Sequence, residues 1–229
     1  DAVFVPGGDP GRTAPRHLFG LLEKLAASVR RFHPKVEIWV SPQSFSSAWM
    51  EEFLALLQKE PPWLGGVVHG PEVRLSVEQL RQRVPPRFPI RNYPDITHST
   101  HAQFVVPDWD LAHALTHGRE PINPRPYDMR AIFLHAAPHT IGFITYSEGC
   151  NDDLNKAVWS LLGFDPQMDV AEAVRQYARY FVGPRFAEDF AQGLLALERN
   201  WRGPLATNAG VEVTLQQFQS MERAATPQL

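Results

Sequence analysis

The sequence predicts an α/β protein whose strands form a parallel sheet, and three observations carry that expectation. Short apolar runs rich in β-branched residues alternate with stretches of helical periodicity through the first 150 residues. Each apolar run breaks off into a loop of Gly, Pro, Asp, His or Gln. No GxGxxG or P-loop pattern follows any of them, which argues against a nucleotide-binding sheet. In a parallel α/β arrangement such loops leave from one edge, the carboxyl ends of the strands.

The elements follow in order. "AVFVPGGDPG" is a strand running into a Gly-Pro loop. In "PRHLFGLLEKLAASVRRF" the residues Leu18, Leu21, Leu22, Leu25 and Val29 repeat at helical spacing, so one face is buried. Pro15 fits its first turn, and Arg30 and Arg31 suit its last. "KVEIWVSPQSF" is a second strand and loop, after which Ser46-Ser47 can cap the helix "SAWMEEFLALLQKE". "LGGVVHGPEV" is a third strand and loop, and Ser76 opens the short helix "VEQLRQRV". "FPIRNYPDITHS" is the fourth. A Pro-rich irregular stretch over about 99–128 and a helix near Tyr127–Ala137 lead to a fifth strand, "TIGFITYSEG". From about residue 156 the pattern is helical: "LNKAVWSLLGF", "DVAEAVRQYARYFVG", "PRFAEDFAQGLLALERNW" and "VEVTLQQFQSMERA".

Five βα units in succession predict the C-terminal part of a (β/α)8 barrel over residues 1–155, followed by a helical segment over 156–229 packed on it. A full barrel needs about 250 residues. The chain has 229, a third of them in the helical tail, and it opens directly on an apolar strand. We therefore expect the N-terminal part of the barrel to come from the same gene.

Composition narrows the function. Hydrophobic residues make up 44% and charged residues 21%, enough for a packed core. The net charge of −3 and the scattered Lys and Arg residues give no basic face for a nucleic acid. No apolar run reaches the roughly 18–20 residues of a membrane span. A single cysteine, Cys150, leaves no intrachain disulfide and no cysteine-based zinc site. Nothing calls for a cofactor, and the compartment stays open.

The strand ends supply the candidate chemistry. The first delivers Gly7, Gly8 and Asp9; the second Trp39, Ser41 and Gln43; the third His69 and Glu72. The fourth delivers Arg91, Tyr93, Asp95, Thr97 and His98; the fifth Tyr146, Glu148, Asn151, Asp152 and Asp153. Acids, amides and aromatics gathered at one barrel mouth suit a carbohydrate: rings stack on sugar C–H faces while carboxylates and amides meet hydroxyls. Hydrolysis of a glycosidic bond needs two carboxyl groups in contrasting surroundings. Asp9, Asp95 and Glu148 are the candidate catalytic carboxylates. Gln43, His69, Arg91, Tyr93, His98, Tyr146, Asn151 and Asp152 are the candidate substrate contacts. Structural readings stand beside several of these. Asp9 can turn its loop, Asp95 can close an Asx-turn, and one of Asp152 and Asp153 can cap the next helix. His113 and His117 lack the Glu of an HExxH zinc motif.

"AVFVPGGDPG" resembles a strand motif of the β-N-acetylhexosaminidases, in which an apolar strand ends in Gly-Gly-Asp-Glu. The resemblance implies that Asp9 orients a substrate acetamido group; Pro10 stands where that family has its general acid. The segment "DDLNKAVWSLLGFDPQMDVAEAVRQYARYFVGP" is similar to the end of the barrel in hexosaminidase-like and α-glucuronidase-like bacterial hydrolases. The resemblance implies glycoside hydrolase chemistry on an oligosaccharide or glycoconjugate. Two alternatives remain. Pro10 motivates a carbohydrate-binding barrel without catalysis. A metal-dependent hydrolase would gather Asp9, His69, Asp95 and His98 around a divalent ion, though without tight ligand spacing.

Overall fold

The structure is a computed structural model that describes residues 2–9, 12–97, 103–104, 110, 124–147 and 153–225. The chain divides into two compact units: Asp1–Pro94 with Ala136–Thr145, and Asp95–His135 with Tyr146–Leu229.

The first unit is α/β. Its strands β1 (Ala2–Pro6), β2 (Glu37–Ser41), β3 (Leu64–His69) and β4 (Ile90–Asn92) lie in sequential order, and every neighbouring pair is parallel. The helices α1 (Pro15–Val29), α2 (Ser47–Leu57) and α3 (Val77–Arg83) connect them. Pro15 opens α1, where its missing N–H is no loss. The Ser46 hydroxyl caps α2 by accepting from the Trp49 N–H at 3.2 Å. In α3 the Ser76 hydroxyl accepts from the Gln79 N–H while the Gln79 side chain accepts from the Ser76 N–H, a capping box.

Strand alternation decides what each sheet face meets. Ile38, Val40, Val67 and Ile90 enter one core with Leu18, Leu22 and Ala26 of α1, Phe53 and Leu57 of α2, and Leu80 of α3. Phe19 stands edge-on to both Phe53 and Trp63, at 5.8 and 5.4 Å between ring centres. Each such buried side chain contributes about 1.5–3 kcal/mol, so this face holds the unit together. Between these positions Phe4, Trp39, Val68 and Arg91 turn to the other face, where they line a cavity.

The expected fifth strand does not join the four-stranded sheet as a strand. Residues 141–144 make an isolated parallel bridge beside β4: Ile90 O accepts from the Ile141 N–H, and Asn92 exchanges bonds with Gly142 O and the Ile144 N–H, all at 2.8–2.9 Å. Tyr146–Ser147 belongs to the second unit. Arg30 departs from expectation. It follows the last residue of α1, and its guanidinium donates to Trp63 O at 2.9 Å, tying the end of α1 to the start of β3.

The second unit is mainly helical. The short strands β5 (Asp95–Thr97) and β6 (Tyr146–Ser147) pair in parallel. With them are α4 (Pro126–Ala136), α5 (Asp153–Phe164), α6 (Val170–Phe181), α7 (Ala187–Asn200) and α8 (Ala209–Ala224). Leu154, Val158, Trp159 and Leu162 form the buried stripe of α5, and Trp159 meets Phe133 of α4 edge-on at 5.4 Å. Glu198 of α7 is buried, and its two oxygens accept from the Tyr127 and Asp128 N–H groups at 3.0 and 2.9 Å. It caps α4 from more than 70 residues away in sequence. Arg125, also buried, donates to Phe104 O and Asp128, and its own N–H goes to the Asn155 side chain at 2.8 Å. Among the described residues no helix is long and apolar enough to cross a membrane.

Candidate functional site

The carboxyl ends of β1 to β4 bring five of the predicted residues into one unit: Asp9, Gln43, His69, Arg91 and Tyr93. The loop after β1 is pinned over the end of β2. The Gly7 N–H donates to Ser41 O at 2.9 Å and the Gly8 N–H to Gln43 O at 2.8 Å. A Cβ on Gly7 would lie 2.1 Å from Ser41 O, so only glycine permits this approach. The glycine pair thereby delivers Asp9 to the Gln43 side chain, whose amide donates to the Asp9 carboxylate at 3.2 Å. Asp9 is exposed, and its carboxylate is held in place yet open to solvent.

The neighbouring loops are clasped together. Ser44 and Glu72 both adopt left-handed backbone, at φ 57° and 59°, and the Ser44 hydroxyl donates to the Glu72 carboxylate. Arg74 Nε donates to Phe45 O at 2.9 Å. His69 Nε2 donates to Leu75 O at 3.0 Å, so this face of the ring anchors the loop after β3. Tyr93 packs edge-on against Phe4 at 5.3 Å, and its N–H donates to His69 O at 2.7 Å.

Two polar atoms at this edge have no partner among the described residues. They are the Ser41 hydroxyl and the Gln43 carbonyl oxygen, in side chains that are 0% and 6% exposed. Each such atom costs about 1–3 kcal/mol of desolvation, so the edge keeps its polarity at the expense of stability. A side chain on Gly70 would come within 3.3 Å of the Gln43 oxygen and 3.4 Å of the Ser41 hydroxyl. Gly70 therefore packs close against both buried oxygens without adding a side chain between them.

Two further candidates lie in the second unit. Asp95 opens β5 opposite Tyr146 of β6. It is 3% exposed, and its N–H donates to the Gln103 side chain at 2.7 Å. Asp95 is thus a strand residue where the sequence also allowed an Asx-turn. Asp153 is the first residue of α5, and its carboxylate accepts from the Tyr177 hydroxyl; burial, then this bond, raises the pKa of that phenol. His98, Glu148, Asn151 and Asp152 lie outside the described residues, as do Pro10, Cys150, His113 and His117. Among the described residues no three His, Cys, Asp or Glu side chains gather as a metal ion would require.

Glu37 is a residue that the sequence reading passed over. It accepts from Trp39 Nε1 at 2.8 Å and lies 3.8 Å from Arg91, whose guanidinium stacks over the Trp39 ring at 4.0 Å. The signal was available: Glu37, Trp39 and Ser41 share the period-two alternation of β2 and so one face of the sheet. Compared with known proteins, the chain matches no family model, no curated protein and no solved structure.

Proposed function

We propose that the chain is the C-terminal part of a glycoside hydrolase-like (β/α)8 barrel with a helical segment after it, and that it acts on an oligosaccharide or glycoconjugate. One observation carries the reading. Sequential parallel strands gather Asp9, Ser41, Gln43 and Tyr93 at their carboxyl ends, with Asp9 held by Gln43 and two buried oxygens lacking partners among the described residues. Asp9 is the exposed acceptor of this set, and it suits a ligand that presents hydroxyl hydrogens. Sequential strand order, with α1 to α3 packed on one face, is also what a barrel segment requires.

In this reading Asp9 accepts from sugar hydroxyls at the sheet edge of the first unit, and the sequence offers Asp95 and Glu148 as further carboxylates for acid and base roles. The test is turnover of a panel of aryl glycosides by the wild type, Asp9→Asn and Glu148→Gln. Loss of turnover by about 100-fold or more in either variant supports hydrolysis. Equal turnover in all three removes the assignment.

A carbohydrate-binding barrel without catalysis is the second reading, favoured by Pro10 in the acid's place and by the engagement of Asp9 with Gln43. It predicts glycan affinity with no sugar released, and affinity that survives Glu148→Gln.

A further inference from the structure

Phe4, Trp39, Val68, Arg91, Tyr93 and Ile144 line a cavity of about 80 Å³ on the sheet face opposite the helices. Its walls are mostly apolar, and among the described residues Arg91 is the one charged residue that lines it. The guanidinium lies 4.0 Å above the Trp39 ring, which fixes its plane. Gly66 makes room for that ring: a Cβ there would stand 2.2 Å from the indole. The nearest carboxylate, Glu37, is 3.8 Å from Arg91, beyond hydrogen-bond distance, and is already engaged by Trp39 Nε1. Among the described residues the Arg91 guanidinium donates no hydrogen bond.

A guanidinium with its plane fixed beside apolar walls can receive an oxyanion through charge-assisted bonds, and the Arg91 side chain is about one-third exposed and so within reach of a ligand. The cavity is about half the ~150 Å³ that holds a benzene ring, so it admits a substituent and not a whole sugar. Tyr93, which follows β4, lines the cavity as well.

We infer that Arg91 is the specificity-determining residue of an oxyanion subsite, which selects sugars carrying a carboxylate or phosphate group. This rests on the carbohydrate reading above. Glu37 is the counterweight: its charge beside Arg91 repels the incoming anion and holds affinity down.

Calorimetric titration of the full chain with galacturonate, galactose 6-phosphate and galactose tests it. At least one anionic sugar should bind about 10- to 100-fold more tightly than galactose, and the pair of anions tells carboxylate from phosphate. Arg91→Gln should erase that ratio. Glu37→Gln, which still accepts from Trp39, should tighten the anionic sugar about 2- to 5-fold. This second variant keeps the inference falsifiable even if Arg91→Gln misfolds. Equal affinity for all three sugars overturns the subsite and leaves the carbohydrate reading standing. An anion ratio that survives Arg91→Gln, or weaker binding in Glu37→Gln, overturns it as well. Inorganic phosphate or acetate that binds as tightly as the anionic sugars sinks the carbohydrate reading and keeps the subsite. No binding by any of the three sinks both.

Discussion

Two buried polar sites, one in each unit, are finished in opposite ways. In the helical unit Glu198 is 3% exposed and both its oxygens are occupied by backbone N–H groups, while Arg125 and Asn155 complete one another. In the sheet unit Ser41 and Gln43 are just as deeply placed, yet each keeps an oxygen with no partner among the described residues. A satisfied polar group rigidifies and specifies a fold, whereas an unsatisfied one is a standing cost that folding alone does not explain. The contrast marks the end of β2 as a place where stability was surrendered, and the Glu198 cluster as a structural support of α4.

Mutations can break that contrast directly. Glu198→Ala should have the largest effect, about 3 kcal/mol of stability in urea unfolding, because it strands two N–H donors at the start of α4. A loss below about 1 kcal/mol would show that water replaces the carboxylate. Asn155→Ala should follow at about 1–2 kcal/mol, since the Arg125 N–H loses its acceptor in a buried site. Ser41→Ala should do the reverse. Removing a buried hydroxyl without a partner should leave stability unchanged or raise it by up to about 1 kcal/mol. A clear destabilisation would mean that the hydroxyl is satisfied after all, and the comparison would fall.

Protonation sharpens the same point. Burial raises the Glu198 pKa, with the two backbone bonds acting against it. A carboxyl whose folded pKa exceeds its unfolded value binds its proton more readily in the native state. The stability it contributes is therefore fully present below the unfolded carboxylate range and is lost as pH rises through the elevated folded value. Unfolding of the wild type across that window should show this decline, and Glu198→Gln should show less of it. Its Gln side chain has one acceptor oxygen for two donors, so the variant should also be about 1 kcal/mol less stable at neutral pH.

Much of the sheet unit was legible from the sequence. The spacing of Leu18, Leu22 and Ala26 and the capping serines Ser46 and Ser76 are local signals, and α1 to α3 follow them closely. The parallel arrangement followed from the alternation of strand and helix. Pairings between distant residues left no such trace. Gln43 appeared as a substrate contact, and the structure adds that its amide holds Asp9, 34 residues away. Glu198 carried no signal at all, because a carboxylate on a helix face looks the same whether it faces solvent or another helix's amides. The three-residue strand at Asp95 was hidden too, since Pro94 beside it reads as a turn.

The glycine pair after β1 has an evolutionary corollary. Because Gly7 rests on the carbonyl at the end of β2, the first loop has no freedom to drift by single substitutions. Any new side chain there must be accompanied by a retreat of the neighbouring segment. Diversification of ligand preference should then accumulate in the residues flanking this seam, and loop grafting between relatives should succeed only when both segments are transplanted together.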